Sequence, residues 1–155
     1  MSHADRRDAR HRGQAVLEFA LIAPLAFVLF IGCLDFGRVF YSAMAVTHAA
    51  RAGAQYGAQS NITSLDNAGI TQAALDAAGD VQGVSVTPVQ CCQCANQSGC
   101  TKGGGTVDCI TGTCSEGAPQ LFVQVTAQKT FTTLFPYPGI PRTANLNRQA
   151  TIRLQ

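Results

Sequence analysis

The stretch RGQAVLEFALIAPLAFVLFIGCLD, Arg12 to Asp35, decides how the rest of the chain is read. Within it, Ala15 to Leu34 is a run of 20 residues with a single charge, Glu18. At the helical rise this run is roughly 30 Å long, the thickness of the hydrocarbon layer of a bilayer. That length favours a membrane span over a buried core helix. A cleavable secretory signal has a shorter apolar core, about 7–15 residues, and does not carry an acid inside it. The sequence LFIGC, ending at Cys33, is similar to a lipoprotein cleavage box, but bulky Phe30 stands where that box takes a smaller aliphatic residue.

Charge sets the direction of the span. Arg6, Arg7, Arg10 and Arg12 against Asp5 and Asp8 give +2 in the first 13 residues, while the rest of the chain holds seven basic and seven acidic side chains. By the positive-inside rule the amino terminus is cytoplasmic and everything beyond Asp35 is exported. A neutral body excludes an extended phosphate-binding surface, so nucleic acid is not an expected partner. A length of 155 residues fits one domain plus an anchor.

Glu18 then needs a reason. A carboxylate near the membrane edge is costly, and a snorkelling Glu at a helix start, where the helix dipole tolerates negative charge, is the plainer account. Its surroundings suggest another. Gly13 closes a short basic leader, four residues intervene, and Glu18-Phe19 opens the apolar helix. This spacing resembles the cleavage motif of type IV prepilins. The resemblance implies a cut between Gly13 and Gln14 by a membrane-embedded prepilin peptidase, leaving Gln14 as the new, often methylated, amino terminus. A glycine suits such a cut because it lets the backbone enter a narrow site. The new ammonium on Gln14 of one subunit would pair with Glu18 of a neighbour and set filament register.

The segment Gly13 to Gly57, GQAVLEFALIAPLAFVLFIGCLDFGRVFYSAMAVTHAARAGAQYG, resembles more narrowly the TadE-like pseudopilins of the tight-adherence, or Flp, pilus system. Gly13, Glu18-Phe19, Pro24 within the span, Asp35-Phe36-Gly37-Arg38 at its end, Tyr41 and the AARAGAQYG tail carry the likeness. What it implies is a minor pilin or pseudopilin of the bacterial inner membrane, single-pass, with its carboxy-terminal domain periplasmic or extracellular, or incorporated in a surface pilus. Its partners would be the membrane, the prepilin peptidase, and other pilins with their assembly machinery, in support of adhesion, biofilm formation or secretion. The competing reading is an uncleaved, single-pass anchored binding module.

Along the chain, residues 1–13 read as the leader, 14–57 as a membrane and stalk helix of roughly 66 Å, and 58–155 as an exported domain. Pro24 removes a helix hydrogen bond and predicts a mild kink. Asp35 and Arg38, three apart, predict an ion pair at the membrane boundary. Ala45, Ala49, Gly53 and Gly57 recur every fourth residue and allow close backbone approach, either under the chain's own domain or at a seam between subunits. His48 reads as an ordinary helix residue. A short helix capped by Asp66 or Thr71 ends near Gly79. Val84 and Val86 alternate with Ser85 and Thr87 in a strand that Pro88 ends or places at a sheet edge. Residues 90–119 read as a loop. In a second strand, Leu121, Val123, Val125 and Ala127 oppose Phe122, Gln124, Thr126 and Gln128, and a third strand closes the chain. The expected fold is α+β and pilin-like: a long amino-terminal helix, then a small antiparallel sheet with a disulfide-rich loop.

Cys91, Cys92, Cys94, Cys100, Cys109 and Cys114 fall within 24 residues of the exported part. In an oxidising compartment they read as three disulfides of open connectivity, with the adjacent Cys91 and Cys92 not joined to each other. Cys33 in the span reads as a free buried thiol. The alternative is a four-thiolate zinc site, since Cys91 and Cys94 have zinc-knuckle spacing; oxidation outside the cytoplasm argues against it, and no metal or other cofactor is expected. No histidine follows His48, so histidine-based triads lack their base. Asp66, Asp76, Asp80, Asp108 and Glu116 are dispersed, and Lys102 to Thr106 lacks the spacing of a phosphate loop. The chain reads as non-catalytic, without a small-molecule substrate.

Overall fold

The computed structural model describes residues 3–94, 100, 111–115, 117–137 and 139–154, with backbone alone for 3–13. Two compact units divide the chain at Arg38, Met1–Arg38 and Val39–Gln155. One helix, α1 (His3–Gly57, 55 residues), contributes to both and continues through Pro24. It begins ahead of Gly13, so the backbone on either side of that glycine is helical.

In the first unit most apolar side chains of α1 have no packing partner among the described residues. Val16, Leu17, Phe19, Leu21, Ile22, Leu25, Phe27, Val28, Leu29 and Phe30 are all largely exposed. The most apolar window of the helix has a mean hydropathy of 2.4, and none of it is buried within the chain. Leaving ten such side chains in water would cost on the order of 15–30 kcal/mol, more than the whole stability of an ordinary domain, about 5–15 kcal/mol. A lipid environment removes that cost, and the helix is a candidate single membrane span. Near its end Arg38 Nη1 donates to Asp35 Oδ1 at 3.0 Å, an ion pair across one turn.

The second unit is α+β. After α1 come α2 (Asn61–Leu65), α3 (Asn67–Ala78), β1 (Ser85–Gln93), β2 (Gln120–Thr132) and β3 (Thr143–Arg153). The strands form one antiparallel sheet in the order β1-β2-β3. Both long helices cover one face of it. Val46, Ala49 and Ala50 of α1 meet Ala74 and Ala78 of α3 over Ala127. Ala54 and Ile70 meet Val123 and Val125. Val84, Val86, Leu146, Ala150 and Ile152 close the edges of these clusters.

Local sequence explains these elements. Ser60 and Thr63 form a reciprocal capping box at α2. Asp66 caps α3, its Oδ1 accepting from Gly69 N at 2.9 Å and its Oδ2 from the Tyr56 hydroxyl at 3.1 Å. The carboxylate partner raises the Tyr56 hydroxyl above its usual ionisation range, first through that hydrogen bond and then through charge. Gly79, at φ 63°, ends α3 in a conformation that glycine adopts without steric cost. The small residues of α1 set its distance from the sheet. A Cβ on Gly53 would stand 3.1 Å from Ala74 Cβ, and one on Gly57 would stand 2.8 Å from Val123 Cγ1.

One boundary differs from the sequence reading. Residues 90–93, read as loop, belong to β1, which runs past Pro88 to Gln93. β1 is an edge strand, so the missing N–H of Pro88 leaves no gap inside the sheet. Cys91 and Cys92 are therefore strand residues, paired with Phe122 and Leu121.

Candidate functional site

Three regions hold the residues singled out from the sequence. The first is the start of the membrane segment. Gly13 lies within α1, and Gln14, Glu18 and Phe19 follow it with their side chains exposed. Gln14 and Glu18 are four apart in a helix, hence neighbours on one face. A positive charge at residue 14 would be one helical turn from the carboxylate in its own chain and equally open to a neighbouring chain.

The second region is the sheet face turned away from the helices. Cys91 and Cys100 form a disulfide with 5.5 Å between their Cα atoms, and Cys94 and Cys114 form another at 5.6 Å. Cys92 is disulfide-bonded as well, and Cys109 lies outside the described residues. Because successive strand residues point to opposite faces, Cys91 and Cys92 diverge and cannot join each other. The cysteines at zinc-knuckle spacing, Cys91 and Cys94, are each consumed in a disulfide, which rules them out as thiolate ligands in this state. No group of three or more metal-ligating side chains occurs among the described residues. Cys33 is a free thiol and is exposed on α1, not buried as the sequence suggested, since none of the described residues packs over it.

Gln124, read as lying opposite Val123 and Val125 in β2, is buried under this region. Its Oε1 accepts from Cys100 N at 2.7 Å, and its Nε2 donates to Cys100 O at 3.4 Å. The side-chain amide thus stands in for a strand neighbour and docks the disulfide segment on the sheet. Alternation predicts its direction correctly, but it cannot reveal that a distant cysteine segment covers that face.

The third region is the α1 seam. Ala45, Ala49, Gly53 and Gly57 are all buried, and Ala49, Gly53 and Gly57 meet α3 and β2. Of the two partners open to that stripe, the chain's own domain occupies it.

The segment of α1 from Gly13 and Glu18 through the exposed apolar run to the stripe of small residues against the sheet has a counterpart among known families. Residues 13–55 match the TadE-like protein family. The TadE-like segment therefore starts at Gly13, includes Glu18, Pro24 and the Asp35–Arg38 pair, and ends within the packed part of α1. The match covers 43 of the 155 residues and leaves the sheet and the cysteine segment outside it. No curated protein and no solved structure matches the chain.

Beyond the TadE-like motif, sequence reading missed a groove of about 350 Å³ in the second unit. Phe40, Ala43, Met44, Thr47, His48 and Arg51 of α1 line it together with Arg148 of β3. Phe40, Met44 and His48 recur at four-residue spacing, a signal that was available. Arg148 joins them only through the sheet. A more polar hollow of about 470 Å³ lies between β1, β2 and β3, lined by Ser85, Gln128, Lys129, Thr130, Asn145 and Asn147 among others.

Proposed function

We propose that this protein is a minor pilin or pseudopilin of a tight-adherence pilus, processed after Gly13 and held in the inner membrane by residues 14–38 with its second unit exported. The observation that carries the reading is where the family match begins: at Gly13, the residue after which a prepilin peptidase would cut. An exposed apolar helix directly behind that glycine supports it, since the same helix serves as membrane anchor before assembly and as packing surface afterwards. In this reading the chain is a substrate of the peptidase and a structural subunit, not a catalyst. Gln14 supplies the new ammonium, and Glu18 of a neighbouring subunit receives it, fixing axial register. The Asp35–Arg38 pair marks the outer membrane boundary. The assembled structure would serve adhesion, biofilm formation or secretion.

Intact mass and amino-terminal sequencing of membrane-extracted protein test this directly. A mature chain beginning at Gln14 is expected. A full-length chain in functioning pili would replace the pilin reading with that of an uncleaved anchored module. Glu18→Ala is expected to insert in the membrane but to assemble poorly, and normal assembly would remove the register role.

A further inference from the structure

The sheet has two edges, and among the described residues they differ in protection. β1 carries Pro88, which cannot donate to an incoming strand. β3, eleven residues from Thr143 to Arg153, contains no proline or glycine and pairs with β2 without a bulge. The ladder fixes which of its backbone groups are left over. Leu154 N donates to Leu121 O at 2.9 Å, and Thr133 N donates to Arg142 O at 2.9 Å. In an antiparallel pair, hydrogen-bonded positions alternate, so the even-numbered residues of β3 turn their N–H and C=O toward β2. Thr143, Asn145, Asn147, Gln149, Thr151 and Arg153 turn theirs outward. Among the described residues no strand pairs with them, and the bond from Arg148 Nη1 to Asn147 O, 2.8 Å, is a contact of a flexible side chain with its own neighbour. Long, regular, unpaired edges are templates for strand addition, and proteins ordinarily blunt them.

The groove lined by Phe40, Met44, His48, Arg51 and Arg148 opens beside this edge, between α1 and the helix-facing side of β3. A fourth strand, about 4.8 Å beyond β3, would send alternate side chains into it. The groove specifies their chemistry: Phe40 and Met44 offer exposed apolar surface, while Arg51 and Arg148 offer positive charge with no acid among the lining residues. A second copy of β3 would bring its own Arg148 and Arg153 to an already cationic edge. We propose that the outer edge of β3, with this groove, accepts an extended acidic and apolar segment of a partner protein as a fourth strand of the sheet. The proposal does not depend on cleavage after Gly13.

The probe is a fluorescein-labelled peptide of about nine residues, alternating Val and Thr with one central Glu, and a twin with Lys in place of Glu. Anisotropy titrations use the full chain in detergent micelles at low salt. The Glu peptide is expected to bind at least about tenfold more tightly than the Lys peptide. Asn147→Pro removes one outward N–H and no ladder bond, so it should weaken binding about tenfold while the thermal midpoint stays put. Arg51→Glu with Arg148→Glu should reverse the preference between the two peptides. Absence of Glu-peptide binding, equal affinity for the twins, or unchanged binding to Asn147→Pro would overturn the proposal. So would a dimer of the chain that Asn147→Pro dissociates, because the edge would then belong to a second copy.

Discussion

Gly57→Ala is the sharpest test of how α1 is seated. The added Cβ would lie 2.8 Å from Val123 Cγ1, 2.9 Å from Ile70 Cδ1 and 3.2 Å from Ile70 Cγ1. Comfortable carbon contacts begin near ~3.5 Å, so the helix must lift or its neighbours must move by roughly 0.7 Å. Neither neighbour has room, since Ile70 and Val123 are both 0% exposed. Overpacking of this kind costs about 1–3 kcal/mol. Replacing glycine by alanine returns up to about 1 kcal/mol of helix propensity in a helix interior, and less at Gly57, the last residue of α1. The net expectation is a loss of about 1–2 kcal/mol, or roughly 4–8 °C in Tm. The chain has no tryptophan, so near-ultraviolet circular dichroism of its tyrosines, followed against guanidinium in micelles, is the suitable signal. Gly37→Ala makes the same chemical change where a Cβ meets nothing within 4 Å, and it should not destabilise. The decisive step is the double mutant with Val123→Ala. Relief of the contact should make the Gly57 change about 1 kcal/mol cheaper in that background. Additivity within about 0.5 kcal/mol would refute the claim that contact with Val123 is the cause.

Asp66→Ala removes both the α3 cap and the acceptor of the Tyr56 hydroxyl; a loss of about 1–2 kcal/mol in denaturant unfolding is expected, with Asp66→Asn retaining part of it. Tyr56 has its ionisation raised by Asp66, so the folded state binds the phenolic proton more tightly than the unfolded one. Stability from this pair is therefore full below the usual tyrosine value, about 10, and declines as pH rises from there through the folded value. Tyr56→Phe should flatten that part of the pH–stability curve, and an unchanged slope would remove the pair from the account. Breaking the Cys91–Cys100 disulfide, which closes a separation of nine residues, by Cys91→Ser with Cys100→Ser should cost about 3 kcal/mol. The same change should speed amide exchange at Cys100 N, whose acceptor is Gln124.

Much of this architecture was legible in the chain because its determinants are local. The uninterrupted apolar run of Ala15–Leu34 announces a span by length alone, and Asp35 with Arg38 announces an ion pair by helical spacing. Asp66 and Gly79 bracket α3 because capping chemistry and left-handed φ belong to single residues. Alternation in β2 identified Val123, Val125 and Ala127 as one face, and all three are fully buried. One choice was left open for an equally physical reason. Pro88 read as a strand end or a sheet edge, because its missing N–H is harmful only if a neighbour needs it, and strand order alone settles that it lies at an edge.

The amino-acid sequence by itself determined the long apolar helix, the Gly13–Glu18 spacing on which the proposed cleavage and register rest, and the periodicities of each later element, since each follows from neighbours within a few positions. Tertiary structure alone decided what covers what: that Ala49, Gly53 and Gly57 pack on α3 and β2, that Gln124 binds Cys100, and that no described strand pairs with the edge of β3 beside Arg51 and Arg148. Those outcomes depend on contacts between residues tens of positions apart, and no local period encodes a partner at that distance.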